Sequence, residues 1–174
     1  MMREISWTTL TGISGDGPVP HHFHRGHPTP WSEGRVIEVL VGGLKWVGNF
    51  QTGDEPFSEV IIWEKTETLV VLAQGGLYLV PVDAPERFVA HESASVCGIA
   101  LSAEHSRLFV ADHDCVLAYD DNLEIEWRVS GLGQTSIMIE SCEGSVLQLS
   151  ISDDPDLPVR RAKLGIDGRG FEWI

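Results

Sequence analysis

Along this chain the apolar residues come in short runs, broken by glycine, aspartate, asparagine and glutamate, and no window of helical length keeps a 3.6-residue period. Short runs rich in Val, Ile, Leu and aromatic residues between turn formers predict β-strands. Ile5–Leu10 reads as a first short strand. From Arg35 onward the character is β throughout. Val36-Ile37-Glu38-Val39-Leu40-Val41 ends at Gly42-Gly43, and Leu44-Lys45-Trp46-Val47-Gly48-Asn49-Phe50 follows, two β-rich runs across a glycine turn, hence a hairpin. Leu123-Glu124-Ile125-Glu126-Trp127-Arg128-Val129 alternates cleanly, which predicts Leu123, Ile125, Trp127 and Val129 on one face and charged residues on the other. Only Val89–Ala94 suggests a helical turn.

Residues 1–34 are different. Gly12, Gly15, Gly17, Pro18, Pro20, Gly26, Pro28, Pro30 and Gly34, with four histidines among them, deny this segment a long helix or strand. It reads as an ordered arm or loop, pinned by Trp7, Phe23 and Trp31. The expectation is one domain over 1–174, with residues 1–34 as this arm and residues 35–174 as an antiparallel β core.

Within the core, three stretches echo one another at a spacing of about 39 residues, a length that suits a unit of three or four antiparallel strands. Val60–Trp63, Leu69–Ala73 and Gly76–Val80 form the first. Gly98–Leu101, Leu108–Ala111 and Val116–Tyr119 form the second, and Ile137–Ile139 with Val146–Leu149 a looser third. In rhythm, with its acidic turns and a closing strand that bears Trp127, the stretch 97–135 resembles one blade of the WD40 or quinoprotein-like β-propellers. The resemblance implies repeated small sheets; the Gly-His and Trp-Asp pairs of WD40 blades are missing. The fold expected is all-β, either sandwich-like or a small propeller-like array.

Composition narrows the function. With 26 acidic and 12 basic residues, the formal charge of −14 repels a polyphosphate backbone, which argues against nucleic acid and for a basic protein partner. No run approaches the roughly 20 apolar residues of a membrane-spanning helix, so no membrane role is expected. Cys97, Cys115 and Cys142 are odd in number, widely spaced and without a paired metal signature, which suits reduced thiols and a cytoplasmic location.

The densest chemistry is His21-His22-Phe23-His24-Arg25-Gly26-His27. In extended backbone His22 and His24 point to one side, where imidazoles suit a divalent metal such as zinc, iron or nickel. His27 could return over Gly26, and Glu33 could add an oxygen. The His-x-His is similar to that of cupins, although their glutamate falls closer behind the second histidine. Acidic turns at Asp112-His113-Asp114 and Asp153-Asp154-Pro155-Asp156 could hold a hard cation such as calcium, but Asp is also an ordinary turn residue. Ser102 with His105 and Asp112, or Cys97 with His91 or His113, supply nucleophile chemistry only by residue type.

Among six tryptophans, Trp63 and Trp127 read as core and Trp31 as a surface residue; Trp173 suggests that the last strand docks. Two functions follow. One is a small acidic cytoplasmic binding module that recognises another protein through Trp31, Asp112, Asp114, Asp120 and Asp121, with a charge balance that resembles bacterial immunity proteins. The other is a metal-binding protein or metal-dependent enzyme using His22, His24, His27 and Glu33. Arg160, Arg161 and Lys163 break the acidic tone and suggest self-association, so a homo-oligomer stays open.

Overall fold

The computed structural model describes residues 3–26, 32–104, 106–133, 135–154 and 156–174. The all-β expectation holds: sixteen strands form four four-stranded sheets among the described residues, with only two short 3-10 turns, Glu64–Thr66 and Pro85–Arg87, besides. The expected helical turn at 89–94 is instead a 3-10 turn before Phe88 and a short strand after it.

Contacts divide the chain into two compact units, Met1–Ala94 and Ser95–Ile174. In the first, β1 (Ile5–Leu10), β3 (Arg35–Val41), β4 (Leu44–Phe50) and β2 (His21–Phe23) pair in that order. The predicted hairpin is β3–β4, with Val41 opposite Leu44. Gly42 and Gly43 have φ of 54° and 89°, the left-handed conformations that a two-residue hairpin turn demands. A meander of β5 (Glu59–Trp63), β6 (Thr68–Ala73), β7 (Gly76–Pro81) and β8 (Val89–Ala90) makes the second sheet. The two sheets share one core: Phe23, Ile37, Val39, Trp46 and Phe50 meet Leu69, Val71, Tyr78 and Val80. Each large side chain buried there contributes about 1.5–3 kcal/mol, so the seam outweighs any single hydrogen bond between the sheets.

The second unit repeats the plan with two meanders. β9 (Gly98–Leu101), β10 (Leu108–Ala111), β11 (Cys115–Tyr119) and β12 (Ile125–Ser130) form one sheet. β13 (Ser136–Glu143), β14 (Val146–Ser152), β15 (Arg160–Gly165) and β16 (Glu172–Trp173) form the other. Phe109, Val116 and Ala118 pack on Ile137, Leu147, Leu149, Ile151 and Leu164 between them. The looser third echo is therefore a complete sheet, and the last three sheets open at Glu59, Gly98 and Ser136, which accounts for the spacing legible in the sequence.

Strand sequences report their surroundings. β6 and β10 are buried at every position and read as continuous apolar runs. β14 alternates Leu147, Leu149 and Ile151 inward with Gln148 and Ser150 outward, as a one-sided sheet requires. β12 departs from its prediction. Trp127 lies opposite Ala118 but Ile125 lies opposite Tyr119, so one extra residue turns Ile125 to the other face and leaves it 45 % exposed. Trp127 and Val129 still pack on the core, whereas Leu123 lies in the turn before the strand with a φ of 64°.

Candidate functional site

The histidine-rich arm is built into the first sheet. β2 lies parallel to β4, with His21, His22 and Phe23 opposite Gly48, Asn49 and Phe50. Phe23 stacks on Phe50 with ring centroids 4.3 Å apart. Gly48 leaves room for this stack, because a Cβ there would fall 2.6–2.8 Å from both rings. Strand alternation puts His21 on the same side as Phe23, edge-on to Trp46 at 5.8 Å, and turns His22 outward. His22 Nδ1 lies 3.2 Å from the Asn49 amide nitrogen, while the Asn49 Oδ1 accepts the Gly34 N–H at 2.8 Å.

His24 lies past the end of the strand, edge-on to Phe88 at 6.2 Å, and its Nδ1 is buried without a hydrogen-bond partner among the described residues. Glu33 is directed elsewhere, its carboxylate packed over the backbone of Gly12. Among the described residues, His22, His24 and Glu33 do not gather into a three-donor cluster; His27 lies outside the described residues. Arg25 is the anchor of the arm. Its guanidinium donates to the carbonyls of Ser93 and Thr52 at 3.2 and 3.3 Å, and its backbone N–H donates to the Gln51 side chain. The arm is thus tied to the loop after β4. A single arginine among histidines carries no pattern that could have announced this.

The acidic turns spend carboxylate oxygens on their own backbone. Asp112 is buried, and its Oδ1 accepts the His113 N–H at 2.7 Å. Asp120 Oδ1 accepts the N–H groups of Asn122 and Glu124 at 2.9 and 3.0 Å, and these bonds, Glu124's foremost, hold its carboxyl below the usual aspartate range. Asp114 and Asp121 are exposed. Asp154 accepts the Asp156 N–H at 2.8 Å in the third turn.

Of the nucleophile sets, Cys97 and His113 are brought close: the Cys97 Sγ lies within 4.8 Å of a His113 ring nitrogen, and the same thiol donates to the Ser95 carbonyl at 3.4 Å. The Ser102 hydroxyl oxygen accepts the Ser106 and Arg107 N–H groups at 3.0 and 3.1 Å, a turn-organising role. His105 lies outside the described residues. Burial, aided by the Asp112 and Asp114 carboxylates, pushes the Cys115 thiol up to about 11, the reverse of an activated thiolate. Cys97, Cys115 and Cys142 form no disulfide among the described residues.

A different face collects the features of a contact surface. Trp63 is fully buried, and Trp127 packs on the second core with its Nε1–H donating to the Ile166 carbonyl at 3.1 Å. Trp31 lies outside the described residues. Trp173 is docked in β16 but 44 % exposed. Register explains its neighbours. Trp173 is opposite Ala162, so Arg160, two residues away on the same face of β15, is its diagonal neighbour. The Arg160 Cζ lies 3.9 Å from the Trp173 ring centroid, and the same guanidinium pairs with Asp153. Leu157, Val159 and Ile174 are each about 60 % exposed beside it. Clefts of about 430 Å³ flank Trp173 on two sides, one toward Leu157 and Leu132, the other toward Val159, Arg161 and Ile174.

The backbone is open there too. Ile174 N–H donates to the Arg161 carbonyl, so Arg161 and Ile174 form a hydrogen-bonded pair and the neighbouring Ala162–Trp173 pair does not. The N–H and C=O of Trp173 therefore point away from β15, along the sheet's outer edge.

The chain matches no protein-family model, and a search of curated proteins gave no match. Among the described residues, no helix is long and apolar enough to cross a membrane.

Proposed function

We propose that this chain is a protein-binding module whose contact face is the β15–β16 edge, and that the partner presents an acidic segment carrying an apolar anchor. The observation that supports it most is the Arg160–Trp173 stack standing among exposed Leu157, Val159 and Ile174. Tryptophan and arginine are the residues that most often dominate binding energy, and an exposed aliphatic rim around them completes a docking patch. Charge selects the partner. Exposed Arg161, beside Arg160 in its ion pair with Asp153, makes a basic locality on a chain of net charge −14, so a like face on a second copy is repelled and acidic groups are attracted. The contact expected on Asp112, Asp114, Asp120 and Asp121 has less behind it, because Asp112 and Asp120 are engaged in turn hydrogen bonds. This reading moves the footprint to the opposite charge.

The test is a peptide array of extended twelve-residue sequences, varied in charge and in one central Leu, Phe or Trp, probed with the whole protein. Acidic peptides with an apolar centre should be retained, with affinity falling about tenfold in Trp173→Ala and weakening with added salt. Retention that ignores peptide charge, or that survives Trp173→Ala unchanged, overturns the proposal.

A second reading, metal binding by His22, His24 and His27, is favoured by the orphaned Nδ1 of His24 and by the hydrogen bond that orients His22 through its Nδ1. Native mass spectrometry of the untagged protein, purified without chelator, tests it. One bound zinc, iron or nickel lost in the His22→Ala/His24→Ala variant supports it, and a metal-free mass removes it.

A further inference from the structure

A cleft in the first unit holds a charge without a counter-ion. It is open to solvent, about 450 Å³ in volume, and lined by Glu33, Gly34, Arg35, Thr52, Ser58 and Gln74, a size within the range of small-ligand sites. Arg35, the first residue of β3, is half-buried. Arg3, Arg107 and Arg160 all pair with carboxylates, but Arg35 pairs with none among the described residues. Its Nη1 donates to the Leu72 carbonyl at 3.3 Å, and its Nε is buried without a partner among the described residues. Burial alone lowers its pKa below that of a free arginine. A half-buried, uncompensated guanidinium is costly in a protein so rich in carboxylates, and a fold that keeps one calls for an explanation.

Backbone packs closely along the cleft. A Cβ on Gly34 would sit 1.9 Å from the Phe50 carbonyl oxygen, so the backbone there is pressed against its neighbour. Gln74 holds a φ of 47°, left-handed for a residue with a side chain, and such strain gathers at binding sites. The Ser58 hydroxyl oxygen accepts the Gln74 N–H at 3.0 Å, which leaves its own proton to donate outward. At the same cleft stands Glu33, exposed, its carboxylate reaching over Gly12 and not bridged to Arg35. One cation and one anion thus line a common space without neutralising each other. A dianion such as phosphate would meet Glu33, and a simple cation would meet Arg35. A molecule carrying both charges satisfies both.

We propose that this cleft binds an α-amino acid or a similar small zwitterion, its carboxylate held by Arg35 and the Ser58 and Thr52 hydroxyls and its ammonium by Glu33. Guanidinium and hydroxyl donors match a carboxylate's two oxygens, and a charge-assisted pair at each end gives selectivity that neither end supplies alone.

The test is titration of the whole protein with glycine, L-alanine, acetate, methylammonium and inorganic phosphate, followed by amide NMR shifts. Glycine and alanine should bind saturably, at least about tenfold tighter than acetate, methylammonium or phosphate, and move the signals of Gly34, Arg35, Ser58 and Gln74. Arg35→Gln and Glu33→Gln should each weaken them about tenfold. Where Arg35→Gln unfolds the protein, the exposed Glu33 carries the test through Glu33→Gln. Acetate or phosphate binding as tightly as the amino acids, or indifference to Glu33→Gln, overturns the zwitterion assignment. No saturable shift with any of the five overturns the site.

Discussion

Arg160 lies over the ring of Trp173 with its Cζ 3.9 Å from the ring centroid, while the same side chain pairs with Asp153 across the end of the sheet. The stack exists because β16 pairs with β15 in a register that sets Trp173 opposite Ala162. Both partners stay partly exposed, so their coupling should be about 0.5–1 kcal/mol. A double-mutant cycle with Trp173→Ala and Arg160→Lys checks this by chemical denaturation. Lysine keeps the charge for Asp153 but lacks the planar guanidinium, so a coupling of zero means that the contact is incidental.

Close backbone approach makes two glycines of the first unit irreplaceable. Alanine at Gly34 would place its Cβ 1.9 Å from the Phe50 carbonyl oxygen, and at Gly53 2.1 Å from that of Ala94. Each substitution should cost more than about 3 kcal/mol, since backbone must move to admit the methyl. Gly15 has nothing within 4 Å of the same position, and Gly15→Ala should change stability by less than about 0.5 kcal/mol. Thermal unfolding of the three variants side by side decides whether the loop after β4 is packed this tightly.

The Tyr78 hydroxyl donates to the Gln51 carbonyl at 2.8 Å, and burial pushes its phenol up to about 12, opposed weakly by Arg25. An unfolded tyrosine ionises near 10. The folded value is the higher one, so the stability from the neutral phenol is complete below about pH 10 and disappears as pH rises through 12. Phenolate absorbance should show one tyrosine titrating near 12, and Tyr78→Phe should be less sensitive to alkali than the parent. A Tyr78 that titrates at 10 would mean that the ring is solvated.

Asp120 gives the opposite pH signature. Backbone N–H donors favour its carboxylate, so its folded-state value lies below that of the unfolded chain. Its contribution is present above about pH 4 and lost as pH falls through the depressed value. Asp120→Ala should therefore destabilise the second unit at neutral pH by more than it does near pH 2. Equal loss at both values would assign the effect to the turn's shape and not to the carboxylate.

The proposed contact face was less legible than the strands. Trp173 could be read as docked, and the basic break at Arg160 and Arg161 was visible, but nothing in the spacing of residues 160 and 173 says that they stack. The arm was only partly legible for a related reason. His22 and His24 share a side only while the backbone stays extended, and β2 ends at Phe23, so His24 turns against Phe88. Arg25 and Arg35 carried no local pattern at all. Their roles come from the Ser93 and Thr52 carbonyls in one case and from the absence of a carboxylate among the described residues in the other.

What the sequence determined by itself is the set of strands and turns: Ile5–Leu10, the Gly42-Gly43 hairpin and the three echoed meanders fall where alternation and turn residues place them. These signals act between neighbours in the chain, through side-chain period and the φ angles that glycine and aspartate permit. The tertiary structure alone decided that β2 joins the first sheet in parallel, that a single bulge turns Ile125 outward, and which charges stand uncompensated. Those outcomes depend on pairing register and on burial against residues far away in sequence. A shift of one residue in register exchanges the two faces of a strand, and no local pattern encodes which distant carbonyl or ring will be waiting there.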